Sequence, residues 1–302
     1  MLVRRWLDAA GITDPVLRHC YTVCSRVLAN NDGGIIRWQM SWLASRALPA
    51  AARPHMMASD AHASRADAYA DSGPVEDRQR RLAAFAEATI AAFAVGSSHD
   101  PVLHALVHTY QTFGMPLSRI QDMFTAMQRD VDFRDFATFE ELSQWAEQLN
   151  TFGWASLLRT TTATELVEVE PLVRQLSVLC QVTDVLCDLS EDLDDGRLYL
   201  PLEDLDRFEV APADLKAKQW TPAMSDLIAF EAARVTDRLP ALAAELEHSP
   251  VSPFTHAVGE HLRLLVAAAV DAGQDVLHRP VKPPTRPFLN LWRPVMRAVI
   301  PC

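Results

Sequence analysis

The stretch from Gln175 to Gly196, QLSVLCQVTDVLCDLSEDLDDG, holds six acids and no base. Leu179, Val182, Leu186, Leu189 and Leu193 are spaced 3, 4, 3, 4, which predicts one apolar stripe along a helix. Gln181, Asp184, Asp188, Glu191 with Asp192, and Asp195 recur at the same spacing on the opposite side. An acidic helix face is ordinarily solvated surface, and that reading stands for any one carboxylate. A solvated face, however, usually interleaves Lys or Arg at i+4 to relieve repulsion, and this one does not. Like charges a few ångströms apart oppose folding until a cation arrives, so the stripe reads as a cation site.

A second acidic element lies upstream in Arg65-Ala66-Asp67-Ala68-Tyr69-Ala70-Asp71. Asp67 and Asp71 are four apart and share a helix face, as Asp188 and Asp192 do. Carboxylates without His or Cys nearby suit a hard cation. Mg²⁺ keeps waters and takes one or two carboxylates plus substrate phosphate oxygens. Two DxxxD pairs facing across a helical cavity would hold a metal-bridged diphosphate. Zinc is the weaker alternative: His104 and His108 form HALVH, which lacks the Glu of HExxH. No GxSxG occurs, and no Cys/His arrangement has a recognisable flank.

Around these elements the pattern is helical nearly throughout. Asp14-Pro15 reads as an N-cap and first helical position, followed by Val16, Cys20, Val23 and Val27 at helical spacing. Asp100-Pro101 opens another helix in the same way, and Thr138 with Glu141 forms a capping box before Leu142, Trp145 and Leu149. Pro171 is expected to start a long helix that Gly196 ends. No run of alternating strands and no repeat appear, so the expected class is all-α, in one domain over 1–277. Residues 278–302 form a tail with five bases, six prolines and no acid. Its Phe288, Leu289, Leu291 and Trp292 could touch an anionic membrane surface, wrap the domain or dock a partner.

Composition excludes several classes. Glycine is scarce, 10 in 302, and neither GxGxxG nor GxxxxGK[ST] occurs. A net charge of −11 argues against a nucleic-acid partner. The longest apolar candidate, Leu82 to Gly96, is interrupted by Glu87 and is too short to span a bilayer. Asp8 ends the N-terminal apolar stretch too early for a secretory signal. Five cysteines without CxxC suggest reduced thiols and a cytoplasmic location, with Cys20 and Cys24 as buried core residues.

The stretch Gln181 to Pro201, QVTDVLCDLSEDLDDGRLYLP, resembles the squalene/phytoene synthase family, whose version runs roughly QxTNIxRDxxED and then GRxYLP. LASRALPAAAR (43–53) resembles the family's pre-motif helix and RADAYADSG (65–73) its first aspartate motif. Asp130 with Thr138 to Leu142 resembles the middle signature, and Leu262-Arg263 with Gly273 to Val276 the C-terminal helix. The similarity covers roughly residues 37–290. It implies an isoprenoid-synthase helical bundle with a central cavity. It also implies Mg²⁺ held by Asp67, Asp71, Asp188 and Asp192, and an allylic prenyl diphosphate whose C1–O bond ionises. Gln181 and Arg197 match positions near diphosphate and metals, and Tyr199 matches the GRxYLP tyrosine.

The departures from the pattern are equally specific. Asp184 stands where the family has Asn, which adds a candidate metal ligand, and Cys187 stands where it has Arg. Ser64 replaces an Arg before the first motif, leaving neighbouring Arg65 as the candidate diphosphate contact, and Asp60 and Leu262 replace tyrosines. The metal core is retained while groups that would position a second prenyl diphosphate are lost. The expected activity is therefore prenyl transfer from a C5 to C15 allylic diphosphate to carbon of an aromatic, carbazole-like acceptor in secondary metabolism. Head-to-head squalene or phytoene synthesis, a terpene cyclase and a catalytically degenerate binding subunit are the rivals. Eight acids of the two elements, Asp67, Asp71, Asp184, Asp188, Glu191, Asp192, Asp194 and Asp195, account for most of the net charge; without them it would be −3.

Overall fold

The computed structural model describes residues 2–29, 48–161, 166–247, 252–287 and 290–291. Among these residues no strand occurs, and the class is all-α as expected. The described residues form two compact units, one within Met1–Asp132 and Thr151–Glu170, the other within Phe133–Asn150 and Pro171–Val295. No helix among the described residues is long and apolar enough to cross a membrane. The residues Phe288, Leu289 and Trp292 of the expected tail surface, and 43–47 of the pre-motif segment, lie outside the described residues.

The first unit is built from α1 (Leu2–Ala9), α2 (Pro15–Ala29), α3 (Arg53–Asp71), α4 (Val75–Val95), α5 (Pro101–Phe113) and α6 (Ser118–Val131). The helix starts follow the capping chemistry of the sequence. The Asp14 carboxylate accepts from the Leu17 amide at 2.8 Å. Asp100 accepts from Val102 and Leu103 at 2.8 and 3.2 Å, with Pro101 at the first helical position. Ala58, Ala61 and Ala105 let α3 and α5 approach α2, and Leu7, Ile12, Cys20, Tyr21, Cys24 and Val102 fill the remaining space. Cys20 and Cys24 are buried as expected, and burial pushes the Cys24 thiol up to about 12. Val16 is not part of this face; it is 59% exposed, and Leu17 and Tyr21 turn inward instead.

The core of this unit holds a polar knot. The Tyr21 hydroxyl lies 3.1 Å from His55 Nδ1, 2.8 Å from His108 Nδ1 and 2.8 Å from Thr109 Oγ1. His108 thus turns to Tyr21, while His104 Nδ1 lies 3.0 Å from the Ser98 carbonyl. The two HALVH histidines make separate local bonds through Nδ1, and among the described residues no group of three or more His, Cys, Asp or Glu side chains could hold a metal ion. Nearby, His62 is fully buried between Phe85 and Phe124 and bonds Thr89 Oγ1 at 3.1 Å.

The second unit contains α9 (Leu189–Asp194), α10 (Leu202–Arg207), α11 (Pro212–Lys216), α12 (Pro222–Thr236), α13 (Leu239–Leu246), α14 (Ser252–Ala272) and a 3₁₀ turn (Gly273–Leu277). Two further helices, α7 (Phe139–Thr161) and α8 (Leu166–Cys187), contribute residues to both units. Thr138 caps α7 by accepting from the Glu141 amide at 3.2 Å. The returning Glu141 carboxylate takes the Ala137 amide at 2.9 Å, one residue outside the usual box.

Two boundaries differ from the expectation. Helix α8 begins at Leu166, so Pro171 lies inside it; at that depth its missing N–H removes one ladder bond. The helix also does not run unbroken to Gly196. Asp188 has φ −103° and ψ 9°, and α9 starts after it. The cause is a hydrogen bond from outside the helix: the Val281 amide donates to the Cys187 carbonyl at 2.8 Å. The Glu191 amide bonds Asp188 O at 2.9 Å instead, which tightens and turns the chain there. Val281, just past the expected boundary at 277, is buried within the second unit.

Burial holds His55, His62 and His261 well below their ordinary value, at about 4, 3 and 4. At these histidines the folded state therefore binds fewer protons than the unfolded one below pH 6.5. Their contribution to stability should be full above that pH and fall toward pH 4, by up to about 1.4 kcal/mol per pH unit per histidine. Urea titrations across pH 7 to 4 should show this slope, and His62→Leu should flatten it. Tyr21→Phe, which strips three groups of a shared partner, should cost about 1–3 kcal/mol in the same assay at pH 7.

Candidate functional site: two carboxylate elements

In the second unit the kink leaves the acid stripe in register. The Asp188 amide bonds Asp184 O at 2.8 Å, the Asp192 amide bonds Asp188 O at 3.0 Å, and the Arg197 amide bonds Asp192 O at 2.7 Å. This backbone ladder keeps Asp184, Asp188 and Asp192 on one side of α8 and α9. On the other side Leu179, Val182, Leu186, Leu189 and Leu193 are all buried, as their spacing predicts. Asp184, Glu191 and Asp195 are exposed, whereas Asp188 and Asp192 are half-buried.

Asp188 carries the electrostatic load. Burial, followed by the negative charge of Glu191, pushes its carboxyl up to about 6. A carboxylate held in surroundings that disfavour its ionised form gains strongly from an approaching cation. The stripe is not wholly without bases in three dimensions: Lys218, following α11, pairs with Asp194 at 2.6 Å. That pair lies on the solvent side, since Asp194 is 66% exposed.

The other residues expected around this element are held by neighbours. Gln181 Oε1 accepts from Asn150 Nδ2 at 2.9 Å, which makes Asn150 of α7 part of the site's framework. Nothing in the spacing of Asn150 signals this; only the packing of α7 on α8 does. Arg197 follows Gly196, whose φ of +78° is the left-handed conformation that lets the chain leave α9 sharply. Arg197 Nη1 lies 3.4 Å from the Tyr199 hydroxyl. Tyr199 itself is buried among Phe133, Phe136 and Trp145, with ring centroids 4.9, 6.2 and 5.3 Å away. Cys187, where the resemblance would place an Arg, is buried, and burial raises its thiol so that it stays neutral.

In the first unit Asp67 and Asp71 close the C-terminal end of α3, Asp67 half-buried and Asp71 exposed. Tyr69 between them packs edge-on against Phe85 at 5.4 Å. Arg65 does not point a free charge at this pair: its Nη1 bonds Asp100 Oδ2 at 2.6 Å. It is thereby tied to the N-cap of α5.

Among the described residues no group of three or more His, Cys, Asp or Glu side chains could hold a metal ion by itself. The donors that are present, carboxylate oxygens alone with a half-buried Asp188 in need of positive charge, fit a Mg²⁺ that completes its shell with water and phosphate oxygens. A cavity of about 610 Å³ lies elsewhere, lined by Val3, Leu7, Arg18 and Thr22 of α1 and α2 among others. None of the residues of the two carboxylate elements lines it.

The chain is 28% identical over 225 residues to the bifunctional protein CrtB/UppS of Streptomyces coelicolor, covering 73% of this chain and 38% of that one. It is 34% identical over 131 residues to the 15-cis-phytoene synthase of Synechocystis, covering 40% and 39%. The chain thus spans about two fifths of the length of these curated relatives. Its fold is that of the solved squalene synthase HpnC from Alicyclobacillus acidocaldarius, with a TM-score of 0.74, 23% identity, and coverage of 90% of this chain and 99% of that one. The family model for squalene/phytoene synthase matches residues 41–299, and with the aspartate elements and the fold in agreement, the chain belongs to the squalene/phytoene synthase family.

Proposed function

We propose that the protein is a Mg²⁺-dependent prenyltransferase. It ionises an allylic prenyl diphosphate and passes the prenyl group to carbon of an aromatic, carbazole-like acceptor. The observation that carries the diphosphate part is the acid face of α8 and α9, where half-buried Asp188 stands in register with Asp184 and Asp192, and the Asp192 carbonyl anchors Arg197. Asp188 and Asp192, with Asp184 beside them, would hold Mg²⁺ in the second unit; Asp67 and Asp71 would do so in the first. When bound, the metal supplies positive charge that lowers the cost of releasing diphosphate.

The rest of the reaction falls to the chain's own groups. Arg197 is suited to meet the negative charge that grows on the leaving diphosphate as the C1–O bond breaks and its electron pair departs. Gln181, fixed by Asn150, orients the same group. The acceptor's π electrons then form the new C–C bond, and loss of the ring proton restores aromaticity. Asp130, Asp184 or a diphosphate oxygen takes that proton.

Support for a non-isoprenoid acceptor comes from Cys187. A neutral, buried thiol offers a second prenyl diphosphate nothing to pair with at a position where the family resemblance expects a guanidinium. Head-to-head condensation of two prenyl diphosphates is the second reading. It is favoured by family membership and by the phytoene synthase among the relatives.

Incubation with Mg²⁺, radiolabelled C5 to C20 allylic diphosphates and aromatic acceptors should give labelled aromatic product and free diphosphate. A C30 or C40 hydrocarbon formed from diphosphate alone would establish the head-to-head reading instead. No diphosphate release at any chain length would favour a binding subunit. Asp188→Asn should lower turnover by about 100-fold or more, because it removes charge needed only when metal and leaving group are present. Unchanged turnover at saturating Mg²⁺ would remove Asp188 from the ligand set. Its melting temperature should not fall, since a neutral amide replaces a carboxylate whose ionised form burial disfavours.

A further inference from the structure

The second unit buries two carboxyl side chains that this chemistry does not use, Asp204 on α10 and Glu231 on α12, beside the half-buried Arg234 of α12. Arg234 Nη2 sits astride both oxygens of Asp204 at 2.8 and 2.7 Å. The guanidinium lies 3.7 Å from the centroid of the Phe139 ring and 4.7 Å from that of Phe230. Glu231 Oε2 stands 3.2 Å from Arg234 Nε. Burial raises the Glu231 carboxyl, against the pull of Arg234 and with help from Asp204, which favours its protonated form. The Arg234 guanidinium donates hydrogen bonds to Asp204.

Ion pairs at this depth are poor devices for stability, because desolvation cancels most of the attraction. They are effective at penalising every register but one. What they hold here is the segment leading back to Arg197. The Leu202 and Glu203 amides donate to the carbonyls of Phe136 and Ala137 at 2.9 and 3.0 Å. The Phe139 amide donates to Glu203 Oε1 at 2.7 Å. Such backbone pairing alone would tolerate a slip, but a slip would leave the 3%-exposed Asp204 without its guanidinium. Upstream, Leu198, Tyr199 and Leu200 are all buried, so the segment has no slack between Asp204 and Arg197.

We infer that Asp204 and Arg234 are positioning residues for Arg197: their clasp locks the register of the Gly196–Pro201 segment and so sets the reach of the Arg197 guanidinium. The inference rests on the reading of Arg197 as a diphosphate contact. It predicts that clasp and Arg197 act as one unit.

Calorimetric titration of the full chain with inorganic diphosphate in Mg²⁺ buffer tests this without turnover. Arg197→Ala should weaken binding by about 10- to 100-fold, the usual loss of a charge-assisted contact. Asp204→Asn should weaken it to a similar degree, and the double variant should bind no worse than Arg197→Ala alone. Wild-type affinity in Asp204→Asn, or losses that multiply in the double variant, would overturn the clasp while leaving the proposed function intact. No binding by the wild type would instead overturn the diphosphate reading, and the clasp with it. Should Asp204→Asn fail to fold by circular dichroism, Arg234→Gln enters the same cycle. It removes the guanidinium charge that Asp204 faces, and the same outcomes decide.

Discussion

A helix that buries Leu179, Val182, Leu186, Leu189 and Leu193 on one side must present whatever remains on the other, and here the remainder is carboxylate. The apolar side holds the helix in the second unit. The acidic side cannot then turn away, so its repulsion is built in by burial that other contacts supply. Asp188 shows the result: half-buried, beside Glu191, and pushed toward protonation. A site of this kind is costly without a compensating positive charge and favourable with one.

The kink at Asp188 is part of the same device. The Val281 amide takes the Cys187 carbonyl out of the helical ladder, and the chain turns into α9 without losing the Asp184–Asp188–Asp192 register. A stretch that begins the basic, proline-rich end of the chain therefore shapes the acidic element. Downstream, the buried ring of Tyr199 and the Asp204–Arg234 pair continue the same tethering, so that the acid face passes into a firmly held Arg197.

Much of this was legible in the sequence because it rests on local rules. Asp14 and Asp100 cap their helices with their own side chains, followed by prolines that need no amide bond. The apolar stripe is buried at every position its spacing named. The failures have local appearances and distant causes. Pro171 looks like a helix start, yet α8 begins before it. Val16 shares the spacing of the buried stripe but is exposed, because α3 and α5 cover the neighbouring face of α2.

By itself, then, the sequence determined the helical class, the helix ends with their own caps, and the two carboxylate elements, since each depends on residues within a turn or two of one another. Tertiary structure alone decided which charges are compensated and where the helices bend. Lys218 meets Asp194, Asn150 meets Gln181, Val281 meets Cys187 and Arg234 meets Asp204 across gaps in sequence that no helical period encodes. Those pairings follow from how apolar faces pack, and packing depends on the whole surface of a helix rather than on the order of residues along it.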